Sequence, residues 1–111
     1  MAKLTFFFSG RNALWGREIF GLQLAKALTK HYDEVLIFLS NNICVLGHKN
    51  MKTPESIALS DAIKAGCKVQ VWEEDLAFRG LKKEHMRDGV DVVDIDGLMD
   101  ALLACDKIVA Y

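Results

Sequence analysis

The sequence predicts an α/β fold, in which a doubly wound, mainly parallel five-stranded sheet carries helices on both faces. Five short apolar segments alternate along the chain with segments of helical periodicity. The connections between the apolar segments are long enough for helical crossovers, which parallel strands require. With 111 residues, of which 51% are apolar, the chain has the size of one domain, residues 1–111, and is too short for two.

The first predicted unit is a strand, a helix and a second strand. Residues 3–9 are almost continuously apolar, which is typical of a strand that is covered on both faces. From residue 17 to residue 31, apolar side chains between Ile19 and Leu28 recur at helical spacing and predict a helix. Residues 34–40, EVLIFLS, form a second apolar run and predict the second buried strand.

In the middle of the chain, the sequence clearly marks where a helix begins and ends. Residues 41–53 are polar and irregular, which predicts a loop with a short helical turn. In the helix that follows, Thr53 can cap the N-terminus, Pro54 fits the first turn and Gly66 ends the element. The apolar residues of the segment 67–72 predict the third strand.

Two helices and two strands complete the predicted fold. A short helix is expected around 79–87 and a short strand at 89–93. Asp94 can cap a helix that runs to about Ala104. The segment 106–111, DKIVAY, predicts the last strand.

Three loops of this arrangement share the rim at the carboxyl ends of the strands, where open α/β sheets bind ligands. These loops are residues 9–16, 40–50 and 73–80, and the third opens with the acidic triplet Glu73, Glu74 and Asp75. One interpretation is a solvated turn in which Asp75 caps the following helix. The other is a carboxylate in a pocket that faces an arginine.

Two other rim features allow a chemical reading. Cys44 lies near His48 in sequence, so it could act as a thiolate nucleophile, although a lone cysteine between apolar residues is also typical of a buried core position. The loop 9–16 joins a strand to a helix and contains Arg11, but it matches neither dinucleotide nor P-loop spacing. A plain turn is the alternative there.

Composition excludes several function classes. A net charge of −1 offers no field for nucleic acid or an anionic membrane, and no apolar stretch approaches the ~20 residues of a membrane span. The three cysteines are widely spaced and form neither a disulfide framework nor a zinc pattern, and no metal-site spacing is present. We therefore expect a cytoplasmic protein with reduced thiols, no metal and no cofactor.

The segment GCKVQVWEEDLAFRGL, residues 66–81, resembles the signature region of the DsrE/DsrF-like proteins, which include the TusD-type sulfur-relay subunits and the YchN proteins. In that family the third strand runs into a cysteine-bearing loop, often CxxC, followed by a small helix that opens with Arg-Gly. The matching positions are Val69, Val71, Leu76, Arg79, Gly80 and Leu81. The segments GREIFGLQLAKAL, EVLIFLSNNICV and DGVDVVDIDGLMDALLACDKIVAY extend the resemblance along nearly the whole chain.

The resemblance also shows a departure. Trp72 and Asp75 stand where a CxxC would lie, and Asp75 takes the place of the cysteine that carries a persulfide. A carboxylate cannot hold sulfane sulfur, because that step needs an attacking thiolate. The resemblance thus implies the fold and assembly as a homotrimer or homohexamer, with sulfur-relay paralogues as further partners, but not a sulfurtransferase with the usual cysteine mechanism.

Three functions remain open at this point. The first is a binding or accessory module of the sulfur-relay type, and the second is a sulfurtransferase that uses Cys44. The third is a structural subunit of a larger sulfur-relay complex. For the binding module, the expected pocket residues come from all three rim loops: Arg11, Asn12, Trp15, Asn42, Trp72, Glu74, Asp75 and Arg79.

Overall fold

A computed structural model describes residues 2–9 and 17–111 of the chain. Its strands are β1 (Lys3–Phe8), β2 (Glu34–Leu39), β3 (Lys68–Trp72), β4 (Val90–Val93) and β5 (Lys107–Ala110). Its α-helices are α1 (Arg17–Leu28), α2 (Pro54–Lys64), α3 (Glu73–Phe78) and α4 (Ile95–Ala104). Two 3₁₀ helices, Asn41–Gly47 and Lys83–His85, lie in the connections.

The five strands form one sheet in the order β4-β3-β2-β1-β5, and every neighbouring pair is parallel. The first three crossovers progress in one direction, and α1 packs against α2 over the same face. The fourth crossover spans the whole sheet from β4 to β5. Its helix α4 covers the other face, where Gly97 and Ala101 share a cavity of about 410 Å³ with Thr5 and Gln70. The predicted doubly wound fold is confirmed.

The main core lies between the sheet and the α1–α2 layer. Alternate residues of the inner strands point into it, and Phe6, Ile37 and Val69 are fully buried. α1 approaches β1 so closely that a Cβ on Gly21 would lie 2.8 Å from Phe8 Cζ. Glycine at this position therefore sets how tightly the first helix packs on the sheet.

The predicted helix boundaries are largely confirmed. Thr53 accepts a hydrogen bond from Ser56 N–H at 3.2 Å and caps α2, with Pro54 in the first turn. Asp94 Oδ1 accepts from Gly97 N–H at 2.8 Å and caps α4. Past α2, Gly66 adopts φ 104°, a left-handed conformation that favours glycine.

The short helix predicted around 79–87 is wrong. α3 begins directly after β3, so all three residues of the acidic triplet form its first turn, and only a 3₁₀ turn occurs later, at Lys83–His85. Asp75 is consequently not the cap of a following helix but lies inside α3. Negative side chains in a first turn are favoured by the exposed N–H groups there, which is why the triplet starts a helix.

None of the described helices is long and apolar enough to cross a bilayer.

Candidate functional site

Asp75 is the centre of a polar cluster at the carboxyl rim of the sheet. The residue is only 6% exposed, and its Oδ2 accepts a hydrogen bond from Asn41 N–H at 3.0 Å. The backbone at Asn41 has φ 52°, a left-handed conformation that asparagine tolerates better than most residues. This conformation turns the start of the Asn41–Gly47 helix toward α3, and the carboxylate joins the two elements.

Arg79 completes the connection from the other end of α3. Its Nη1 donates to Asp75 O at 2.7 Å and lies 3.8 Å from Asp75 Oδ1. Its Nε and Nη2 both donate to Asn42 Oδ1, at 3.1 and 2.6 Å. The planar guanidinium fork thus holds two loops of the rim in one geometry. Of the predicted pocket residues, Asn42, Asp75 and Arg79 are brought together.

Cys44 lies against the same cluster but is fully buried. Burial raises the pKa of its thiol to about 11; the nearby guanidinium of Arg79 opposes this shift and the carboxylate of Asp75 adds to it. Cys44 is therefore close enough to Arg79 and Asp75 to be influenced by their charges. At neutral pH, however, its environment strongly favours the protonated thiol, which is a poor nucleophile.

The remaining predicted pocket residues are placed differently. Trp72 is half-buried at the end of β3, where strand alternation puts it on the face opposite the core residue Val71. Glu74 is exposed, and no hydrogen bond or ion pair connects it with the part of the chain that the structure describes. Arg11, Asn12 and Trp15 lie outside the described residues.

Sequence reasoning missed three residues at this rim. Asn41 contributes the backbone N–H that donates to Asp75, and a backbone donor of this kind has no signature in the sequence. Glu18 and Glu55, in the first turns of α1 and α2, are both buried. Burial raises the pKa of Glu18, whose Oε1 has no hydrogen-bond partner among the residues that the structure describes. The sequence contained one signal for the two glutamates, since each lies in the first turn of one of two neighbouring helices.

Within residues 2–9 and 17–111, no group of three or more potential metal ligands occurs.

No protein-family model matches the sequence, and no curated protein matches it. Solved structures do match. The YchN protein of E. coli superposes with a TM-score of 0.86 over 100% of both chains, at 20% sequence identity. The chain has the YchN fold.

Two further structures of proteins of unknown function share this YchN fold. One, from Methanobacterium thermoautotrophicum, has a TM-score of 0.75 and 14% identity over 100% of both chains. The other, from Bacteroides thetaiotaomicron, has a TM-score of 0.74 and 15% identity over 98% of this chain and 94% of that chain. At the level of the fold, these structures confirm the resemblance to DsrE-like proteins that the sequence predicted.

Proposed function

We propose that the protein is a DsrE-like binding module of the sulfur-relay type in which Asp75 replaces the persulfide-carrying cysteine. The observation that carries this proposal is the buried Asp75 carboxylate, held by Asn41 N–H and placed beside Arg79. A carboxylate in this position can orient a ligand through charge and hydrogen bonds, but it cannot accept a sulfur atom.

The Asp75 position is tested by restoring a thiol. In a background that lacks the half-buried thiol of Cys105 as well as Cys44, Cys44→Ser/Cys105→Ser, the variant Asp75→Cys is incubated with a small-molecule persulfide. Its thiolate attacks the outer sulfur of the donor, so that the protein gains a persulfide and the donor leaves as a thiolate. We expect intact-protein mass spectrometry to show one added sulfur atom, because Arg79 beside the site favours the thiolate.

The control is the Cys44→Ser/Cys105→Ser protein with Asp75 intact, which should gain no sulfur because its remaining thiol, Cys67, is buried. Asp75→Ala should lower the free energy of unfolding by about 1–2 kcal/mol, since it leaves Asn41 N–H without its acceptor. If Asp75→Cys gains no more sulfur than the control and Asp75→Ala is as stable as wild type, Asp75 does not have this role.

A second candidate is a sulfurtransferase that uses Cys44. It is supported by the closeness of Cys44 to Arg79, whose charge favours a thiolate, and opposed by the burial of the thiol. A third, a structural subunit of a sulfur-relay complex, would be supported by co-purification with cysteine-bearing paralogues. All three cysteines are free thiols, which supports a cytoplasmic location for each of these functions.

We further propose that the protein is a homo-oligomer, as a trimer or hexamer, and that α4 lies in the subunit interface. Ile95, Met99 and Leu103 recur every four residues along α4, and each is more than half exposed. Ile108 of β5, the next element along the chain, is also more than half exposed. Contiguous exposed apolar groups of this kind mark interaction surfaces.

The assembly is measured by size-exclusion chromatography with light scattering. We expect a mass at least three times that of the 12.4 kDa chain, and a return to 12.4 kDa for the double variant Met99→Lys/Leu103→Lys. Phe20→Lys on α1, another exposed apolar residue, serves as the control and should assemble normally. A wild-type mass near 12.4 kDa would exclude the oligomer.

A further inference from the structure

Two segments outside the candidate site are fastened together at one edge of the molecule. Lys49 N–H donates to His85 O at 2.8 Å, and Arg87 N–H donates to Gly47 O at 2.8 Å, which makes a short antiparallel bridge. Arg87 Nη2 donates to His48 O at 3.0 Å and strengthens the junction. The side chains of the segments 47–52 and 82–87 are therefore presented from one fixed scaffold.

The rings of His48 and His85 stack on this bridge, with centroids 5.9 Å apart and planes within 8°. His48 Nδ1 accepts from Asn50 N–H at 3.0 Å, and His85 Nδ1 accepts from Lys82 N–H at 2.8 Å. A nitrogen that accepts a hydrogen bond carries no proton, so each neutral ring has its proton on Nε2. This arrangement orients both imidazoles as donors and leaves neither Nδ1 free for a metal ion.

Both Nε2–H groups are available to a partner. Neither Nε2 has a hydrogen-bond partner in the described part of the chain, and neither is among its fully buried unpartnered atoms, so both reach solvent. We call the bridge with its two rings the histidine clasp.

The charge around the histidine clasp has one dominant sign. Residues 48–52 and 82–88 contain five cations and two acids, in a chain whose net charge is −1. Four of the cations are exposed lysines on the two joined segments: Lys49, Lys52, Lys82 and Lys83. A cluster of this kind attracts anions and steers their approach.

We infer that the histidine clasp and its lysines are a docking surface for an acidic segment of a partner protein. The lysines are compact charges on flexible stems, so they suit carboxylates at irregular spacing better than one rigid oxyanion. The two outward N–H groups add directional hydrogen bonds to this long-range attraction. The inference is independent of the role of Asp75, because no residue of the polar cluster contributes to this surface.

Fluorescence anisotropy with a fluorescein-labelled decaglutamate peptide tests the inference. We expect saturable binding at low salt, weakening as salt rises. Lys49→Glu/Lys82→Glu should reduce affinity by roughly tenfold or more, since it replaces two attractive charges with two repulsive ones. The matched control Lys30→Glu/Lys64→Glu makes the same change in net charge at exposed lysines elsewhere and should change affinity by less than about twofold.

The donors are tested with His85→Phe, which keeps a stacked ring and removes both its Nε2–H donor and the Nδ1 acceptor of Lys82 N–H. We expect roughly a fivefold loss of affinity, typical of one hydrogen bond, with the fold checked by circular dichroism. The inference is overturned by equal losses in the two lysine variants or by the absence of saturable binding. It is also overturned if inorganic phosphate displaces the peptide at constant ionic strength, or if Lys49→Glu/Lys82→Glu dissociates the protein's own oligomer. These last two results would assign the surface to a small oxyanion or to a second copy.

Discussion

Cys44 of the folded protein is expected to react with iodoacetamide at pH 7 at least about a hundredfold more slowly than Cys44 of the urea-unfolded chain. Only the thiolate reacts, and burial raises the pKa of this thiol from 9.0 to about 11, which lowers the thiolate fraction accordingly. Full burial also blocks the reagent. Mass spectrometry of digested samples at timed intervals gives the rate for each cysteine.

Cys105, which is half-buried at the end of α4, provides an internal comparison in the same sample. If Cys44 is alkylated as fast as Cys105 in the folded protein, the result favours a sulfurtransferase that uses Cys44 over the binding module. Slow alkylation of Cys44 favours the binding module.

The same pKa shift has a thermodynamic readout. Because the folded-state pKa of Cys44 lies above the unfolded-state value, its contribution to stability is complete below about pH 9 and is lost as the pH rises to about 11. Two pKa units correspond to about 3 kcal/mol. Urea unfolding of wild type and Cys44→Ala between pH 8 and pH 11 should therefore show a shallower decline for the variant, on the order of 3 kcal/mol.

Arg87→Met should lower the free energy of unfolding by about 3 kcal/mol. The guanidinium donates to His48 O and Met51 O at 3.0 and 2.9 Å, to Ser56 O at 3.2 Å, and to the hydroxyl of Ser60. No acid neutralises it within the described chain, and burial lowers its pKa. Methionine fills part of the volume but leaves these oxygens without a donor.

Equilibrium unfolding in urea at pH 7 measures this loss. Lys64→Met, which removes one exposed charge from the end of α2, is the control and should change stability by less than about 0.5 kcal/mol. A loss below about 1 kcal/mol for Arg87→Met would mean that water replaces the guanidinium at these carbonyls.

The sheet could be predicted from the sequence because its signals are local. Continuous apolar runs mark strands that are covered on both faces, and the caps at Thr53 and Asp94 are written in side chains next to the helices that they start. α3 was misplaced because Trp72, at its N-cap position, makes no side-chain hydrogen bond. Without a capping side chain, the acidic triplet was interpreted as a turn.

The candidate site was predictable only in part. Asp75 and Arg79 are four residues apart, so their pairing follows once α3 is placed. The other half of the cluster comes from Asn41 and Asn42, 34 and 37 residues away from their partners. The segment that contains Asn41 and Asn42 shows no helical or strand periodicity in its sequence. Its approach to α3 depends on the left-handed backbone conformation of Asn41 and on tertiary packing, which local sequence patterns do not specify.

The position of β5 beside β1 has a consequence for how the chain is made. Lys3 and Asp106 exchange hydrogen bonds across 103 residues, so the phenylalanine-rich first strand keeps one edge unpaired until β5 has been synthesised. An open, apolar strand edge is prone to pair with other chains. Co-translational collapse onto β2 can protect only one edge of β1, and pairing with β5 closes the other.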